Sequence, residues 1–260
     1  IKHPFRKTKE KETYNETEKK ETQKEIFIIP LFLIFFHSII GFYSHQSYET
    51  AMHEQLPDSL IEFEQKYPEA NDFVENYTQI QKQIFDLDVS HEVRKDNIPL
   101  FIQWDKRWGY KTYGSNFLGV NGCGPTSLSM VICGLTGKAT WNPYKVAQFS
   151  QKQSYYISGQ GLRGSDDAGA KKLGLTSTEG TINNDYIRQN LTSSTPMICS
   201  MLPGDFTYSG HFIVLTGIDS EGRVVVNDPN SPKNSEKHWD MDRLLPQIRH
   251  IWKFEVEKAA

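Results

Sequence analysis

The chain changes character sharply along its length, and the spacing of apolar and polar positions marks the changes. Residues 1–25 are almost wholly Lys, Glu, Thr, Asn and Gln, with Phe5 and Tyr14 the aromatic exceptions. So few apolar side chains cannot offset the entropy of ordering the backbone, and this tail is expected to be disordered. Residues 26–43 then run from Ile26 to Tyr43 without a formal charge, interrupted by Pro30 and His37. A helix apolar on every face needs a surround that the polar flanks do not offer, and the run approaches the length that crosses a hydrocarbon layer of about 30 Å. It is expected to be a transmembrane anchor. Residues 44–96 are a polar connector with short helical pieces. Leu56-Pro57-Asp58-Ser59-Leu60 opens one helix, Tyr67-Pro68 ends it, and Phe73, Val74 and Tyr77 give a second short apolar face. That connector is expected to be a stalk or packing arm.

From residue 97 to 257 the pattern is that of a folded domain. An apolar helical run follows Cys123. Asn142-Pro143 reads as N-cap and first position of a helix to about Gln153. Ser165-Asp166-Asp167 opens another helix, ended by Gly174, and residues 182–191 form a third. Strands are expected over 197–202, 211–218, 223–228 and 250–256. Helices first and antiparallel strands afterwards make an α+β domain.

Charge decides the orientation of the anchor. Lys2, Arg6, Lys7, Lys9, Lys11, Lys19, Lys20 and Lys24 precede it, and neither Lys nor Arg occurs between Ile26 and Gln65. The positive-inside rule therefore puts the tail in the cytoplasm and everything after Tyr43 outside. A cleaved signal peptide is the alternative, opposed by the long polar region before the run and the lack of a small-residue cleavage pattern after it. The formal net charge of −3 gives no basic field for nucleic acid.

The candidate chemistry centres on Asn121-Gly122-Cys123-Gly124-Pro125-Thr126-Ser127. The chain turns at the glycines and enters a helix with the thiol at its N-terminus, where free N–H groups and the helix dipole favour thiolate. The glycines are expected to leave room for a substrate backbone. Of the eight histidines, His211, His238 and His250 lie downstream, and His211 opens a strand. Ser220-Glu221-Gly222 turns the chain back through Arg223-Val224-Val225-Val226-Asn227-Asp228-Pro229. Pairing Ile218 with Arg223 puts Ile213 opposite Asp228, and His211 diagonal to Asp228 on the same face. Nucleophile, base and orienter follow: Cys123, His211 and Asp228.

Those segments, together with Ile98-Pro99-Leu100-Phe101-Ile102-Gln103-Trp104-Asp105-Lys106-Arg107-Trp108-Gly109, resemble the stand-alone branch of cysteine peptidases related to the bacteriocin-processing, double-glycine leader peptidases. The resemblance covers roughly residues 97–257. It implies a papain-like α+β domain with Cys123 as nucleophile, His211 as general base and Asp228 as orienter. Gln103 is the candidate oxyanion residue, although it lies about twenty residues before the cysteine where transporter-fused relatives place theirs only a few before. Residues 67–77 also resemble segments preceding such domains in single-pass proteins of Gram-positive bacteria.

The expected activity is hydrolysis of peptide or amide bonds through a thioester, with a peptide or protein as substrate and no cofactor or metal. Two alternatives stay open: a cell-wall stem-peptide amidase or endopeptidase on the same fold, and a non-catalytic peptide-binding domain. The chain carries no ATP-binding cassette, so coupled export would need a separate transporter. Gly159-Gln160-Gly161-Leu162-Arg163-Gly164 has the letters of a dinucleotide motif without its parallel strands, and reads as a loop. Gly134-Leu135-Thr136-Gly137-Lys138 reads as a helix end. Cys133 and Cys199 lack metal-ligand spacing and are expected to be buried thiols. His238 and His250 are expected to be structural.

Overall fold

The computed structural model describes residues 56–153, 156–157, 161–162 and 167–257. The expected tail (1–25), the expected anchor (26–43), the start of the connector and most of the Gly159–Gly164 stretch lie outside those residues. Among the described residues no helix is long and apolar enough to cross a membrane.

An N-terminal arm comes first: α1 (Asp58–Lys66), a 3₁₀ turn (Pro68–Ala70), α2 (Asn71–Glu75) and α3 (Tyr77–Ile80). Tyr67 ends α1 because the residue before a proline disfavours helical backbone. The arm buries Leu60, Phe63, Ala70, Phe73 and Val74 against Trp104, Tyr110, Phe117 and Val120. Of the two roles expected for the connector, the described part is therefore a packed arm. Phe73 is its key. A Cβ at Gly109 would lie 2.6 Å from the Phe73 ring and one at Gly119 2.7 Å from it, so the ring occupies a slot that only glycines leave open. Its other contact is Tyr110, stacked at 4.3 Å between ring centroids.

The domain proper continues with a small ribbon, β1 (Thr112–Tyr113) and β2 (Asn116–Phe117), a single turn α4 (Leu118–Asn121), and the long helix α5 (Cys123–Thr136). Helix α5 ends at Gly137, whose φ of +68° is left-handed and whose N–H donates to Cys133 O. Helix α6 (Pro143–Lys152) starts where Asn142 Oδ1 accepts from Lys145 N at 3.0 Å. A two-residue ribbon follows, β3 (Tyr156–Ile157) paired antiparallel with β4 (Gly161–Leu162). Then come α7 (Asp167–Lys171), β5 (Leu175–Glu179), α8 (Asn184–Asn190), β6 (Met197–Met201), β7 (His211–Ile218), β8 (Val224–Asn227), α9 (Pro232–Ser235), β9 (His238–Trp239), α10 (Met241–Leu244) and β10 (Ile248–Val256).

The main sheet has the order β5-β10-β6-β7-β8-β9, antiparallel throughout. Both of its faces are covered, which is why strands such as Met197-Ile198-Cys199 run apolar without alternation. Ile198, Val214 and Phe254 face the core shared with α5 and α6, where Met130, Val131 and Val146 are fully buried. Cys199, Ile213, Leu215, Val226 and Ile251 face a second core with Ile187, Trp239 and Leu244. The mixed helix and antiparallel-strand architecture agrees with the α+β expectation.

The β7–β8 hairpin contains a correction. Near its turn Ile218 pairs with Val224, one residue beyond the expected Arg223, because Asp219 accepts from Gly222 N and donates to Arg223 O. A bulge between Leu215 and Gly217 absorbs the extra residue, after which Val214 pairs with Asn227. Val214 opposite Asn227 is the pairing the expected register gives at that level, and the strand pairing ends there.

Candidate active site

Helix α5 delivers Cys123 at its first position, directly after Gly122. The role expected for Gly122 changes. A Cβ there would lie 2.2 Å from Leu118 O, so the missing side chain makes room for the preceding turn and not for a substrate. Cys123 as a residue is partly exposed. Strand β7 delivers His211, buried, and the first residue after β8 delivers Asp228, fully buried.

His211 Nε2 and Asp228 Oδ1 are 2.7 Å apart. The ring also lies close enough to the Cys123 sulfur for each group to shift the other's pKa. With Nε2 engaged by the carboxylate, Nδ1 is the ring nitrogen left for the sulfur. Of the three expected residues, His211 and Asp228 are joined by a hydrogen bond, and Cys123 lies near the ring. Burial alone would raise the Cys123 pKa. The proximity and positive charge of His211, with N–H groups of Phe212 and Gly124, outweigh it and hold the pKa below the ordinary thiol value. Burial would likewise neutralise the imidazole, but the charge and hydrogen bond of Asp228, then the proximity and charge of Cys123, outweigh it and push His211 up to about 10. Both directions describe a thiolate–imidazolium pair.

The carboxylate is fixed on every side. Its Oδ1 accepts from Asn230 N at 2.9 Å and its Oδ2 from Asn234 Nδ2 at 3.1 Å. Its own N–H donates to Ser235 Oγ at 2.8 Å. Sequence reasoning missed Asn230, Asn234 and Ser235. Their signal was the turn-rich Asp228-Pro229-Asn230-Ser231-Pro232, whose side chains satisfy nearby backbone in place of a ladder.

Gln103 is buried beside these groups, and its backbone N–H donates to Pro229 O at 2.7 Å. Its side-chain amide donates to Gly119 O at 2.8 Å and, at 3.4 Å, to Val120 O, in the turn that leads to Cys123. Its Oε1 has no hydrogen-bond partner among the described residues. The expected oxyanion donor is thus adjacent to the nucleophile's turn but engaged by backbone.

The other candidates fall elsewhere. His238 Nδ1 lies 2.6 Å from Asp219 Oδ2 at the hairpin turn, and His250 Nδ1 lies 3.2 Å from Glu179 Oε1. Cys133 and Cys199 are buried free thiols. Burial raises both pKa values, that of Cys133 to about 12. Among the described residues no group of three or more His, Cys, Asp and Glu is placed to hold a metal.

A cysteine on a helix N-terminus, facing a histidine carried by an antiparallel sheet, defines a papain-like cysteine peptidase. The chain belongs to the family described as Peptidase_C39 like, whose pattern matches residues 95–255. It is related to the bacteriocin-processing peptidases, and it is a hydrolase. No curated protein matches it. One solved structure similar to it is a double glycine motif protease from an AMS/PCAT transporter, in complex with the leader peptide. The identity is 17%, over 62% of this chain and 93% of that one, with a TM-score of 0.43.

Proposed function

We propose that the protein is a membrane-anchored, extracytoplasmic cysteine peptidase that cleaves peptide or amide bonds with a Cys123–His211–Asp228 triad. The observation that carries this reading is the 2.7 Å bond between His211 Nε2 and the buried Asp228 carboxylate, on a ring close enough to the Cys123 sulfur to lower its pKa. The Cys123 thiolate attacks the carbonyl carbon. The oxyanion is met by the Cys123 backbone N–H, which has no acceptor within the first helical turn. Gln103 supports it by exchanging the long 3.4 Å contact to Val120 O for the oxyanion. Imidazolium Nδ1–H protonates the leaving amine as the C–N bond breaks, which leaves a thioester. His211 then takes a proton from water, whose oxygen attacks the thioester, and thiolate returns as the acid leaves.

The location rests on the charge-free run 26–43 and on the Lys and Arg crowded before it. Support for turnover over mere peptide binding comes from Asp228, because a binding cleft has no need of a carboxylate buried against an imidazole. The experiment is incubation of the protein with a peptide library and, separately, with purified cell-wall material, followed by product analysis. Peptide products that vanish with Cys123→Ala support a peptidase. Products from wall material alone favour the stem-peptide amidase or endopeptidase, and binding without turnover contradicts the reading.

A further inference from the structure

Residues 56–80 precede the region matched by the family, residues 95–255, and the mechanism above makes no use of them. Their hydrogen bonds nevertheless lead to the triad acid. Glu69, in the 3₁₀ turn between α1 and α2, reaches the loop that follows Asp228. Its Oε1 accepts from Ser231 Oγ at 2.5 Å and its Oε2 from Lys233 N at 2.9 Å. Ser231 Oγ in turn accepts from Asn234 N at 3.0 Å, which fixes the backbone of Asn234. The side chain of Asn234 donates to Asp228 Oδ2 at 3.1 Å, and Asp228 Oδ1 holds His211 at 2.7 Å. Phe73, seated against Gly109 and Gly119, anchors the arm that carries Glu69.

A second contact runs beside it. The Tyr67 hydroxyl lies near enough to the Thr207 side chain to have its pKa influenced by it, and the Tyr67 ring lies 6.4 Å from that of Tyr208 between centroids. It also lies close enough to Cys123 and Asp228 to feel the charge of both. The arm therefore approaches the catalytic groups from two directions.

We propose that Glu69 is a positioning residue for Asp228, and that the arm is a working part of the active site. The inference rests on the proposed triad. Glu69 acts by fixing Ser231 and Asn234, so that the Asn234 amide keeps the carboxylate aimed at His211. If Glu69 is lost, the loop loses two hydrogen bonds to an ionised acceptor, and the carboxylate loses its aim before it loses its place. The imidazolium is faced by Cys123 and Asp228, with Tyr67 near both, so weaker aim reads out as weaker support of its positive charge.

The test uses the full chain, with rates expressed per active site titrated by a thiol-directed electrophile, so that unfolded protein is not counted. Glu69→Ala is expected to lower kcat about tenfold, as befits loss of charge-assisted hydrogen bonds, with KM within about twofold. The alkaline limb of the kcat profile should move to lower pH. Glu69→Gln keeps an acceptor for Lys233 N and should recover part of the rate. Ser231→Ala should resemble Glu69→Ala, and the double variant should be no worse than the worse single one. A kcat and alkaline limb in Glu69→Ala equal to those of the unaltered protein would reduce the residue to packing and overturn the inference, as would full additivity in the double variant. Cys123→Ala is measured in parallel: turnover surviving there would refute the triad itself, which separates the two failures.

Discussion

Nε2 of His211, not Nδ1, makes the 2.7 Å bond to Asp228. That choice leaves Nδ1 as the ring nitrogen available to the Cys123 sulfur, whose pKa the nearby imidazole lowers. Because the carboxylate is held by Asn230 N and Asn234 as well, the ring has one orientation available when the thiol loses its proton.

The pH profile follows from the signs of the two shifts. The Cys123 pKa is lowered, so the active ion pair forms on the acid side of an ordinary thiol's range. The His211 pKa is raised to about 10, so the pair persists until the imidazolium loses its proton there. Asp228→Asn removes the largest contribution that raises the imidazole. The alkaline limb should fall by about one to three units, with kcat reduced about tenfold for each unit of lost support. A kcat profile identical to that of the unaltered protein would remove Asp228 from the triad.

Thiol selectivity is a second outcome. Cys133 donates to Trp141 O at 3.5 Å and is buried, and Cys199 lies within the sheet core. Burial raises both pKa values, so neither supplies thiolate at neutral pH. Brief treatment of the native protein with iodoacetamide at pH 7, followed by peptide mapping, should modify Cys123 while the other two react after unfolding. Equal modification of all three in the native protein would contradict the assigned environments.

The arm makes a stability prediction. Phe73→Ala empties the slot between Gly109 and Gly119 and should cost about 3–5 kcal/mol in urea unfolding. Gly119→Ala sets a methyl against the rigid ring and should cost about 1–3 kcal/mol. If both are neutral, the arm does not pack as described.

His238 provides the contrast. Its partner is Asp219, whose carboxylate is held low despite some desolvation by hydrogen bonds from His238 and Arg223 at the far end of the hairpin. His238→Ala should leave kcat/KM within about twofold, whereas His211→Ala should abolish turnover. A comparable loss in the two variants would make His238 the rival base.

The helix that begins at Cys123, the strand that begins at His211 and the return to Asp228 were legible because each carries a local signal. Gly-Cys-Gly-Pro marks a helix start, and two apolar runs around Ser220-Glu221-Gly222 mark a hairpin. The bulge at Thr216 was not legible, since nothing in Leu215-Thr216-Gly217 distinguishes an extra residue from a paired one. The expected register returns at Val214 and Asn227 because the bulge offsets the longer turn. Strand β5 (Leu175–Glu179) escaped notice because its residues Thr176-Ser177-Thr178 are polar and its stability comes from pairing with β10. The contact of Glu69 with Ser231 joins residues far apart in sequence, and no periodicity reports such a pair.

The central claim is that Cys123 is the nucleophile, and it is tested most directly by intact mass and peptide mapping after reaction with a peptide bearing a thiol-directed electrophile. One equivalent of label should attach to Cys123 in the unaltered protein, in step with the loss of hydrolysis. Cys123→Ala should take up no label and turn over no substrate while keeping its circular dichroism spectrum. Label at the same stoichiometry in the folded Cys123→Ala protein, or hydrolysis that survives the substitution, would contradict the account.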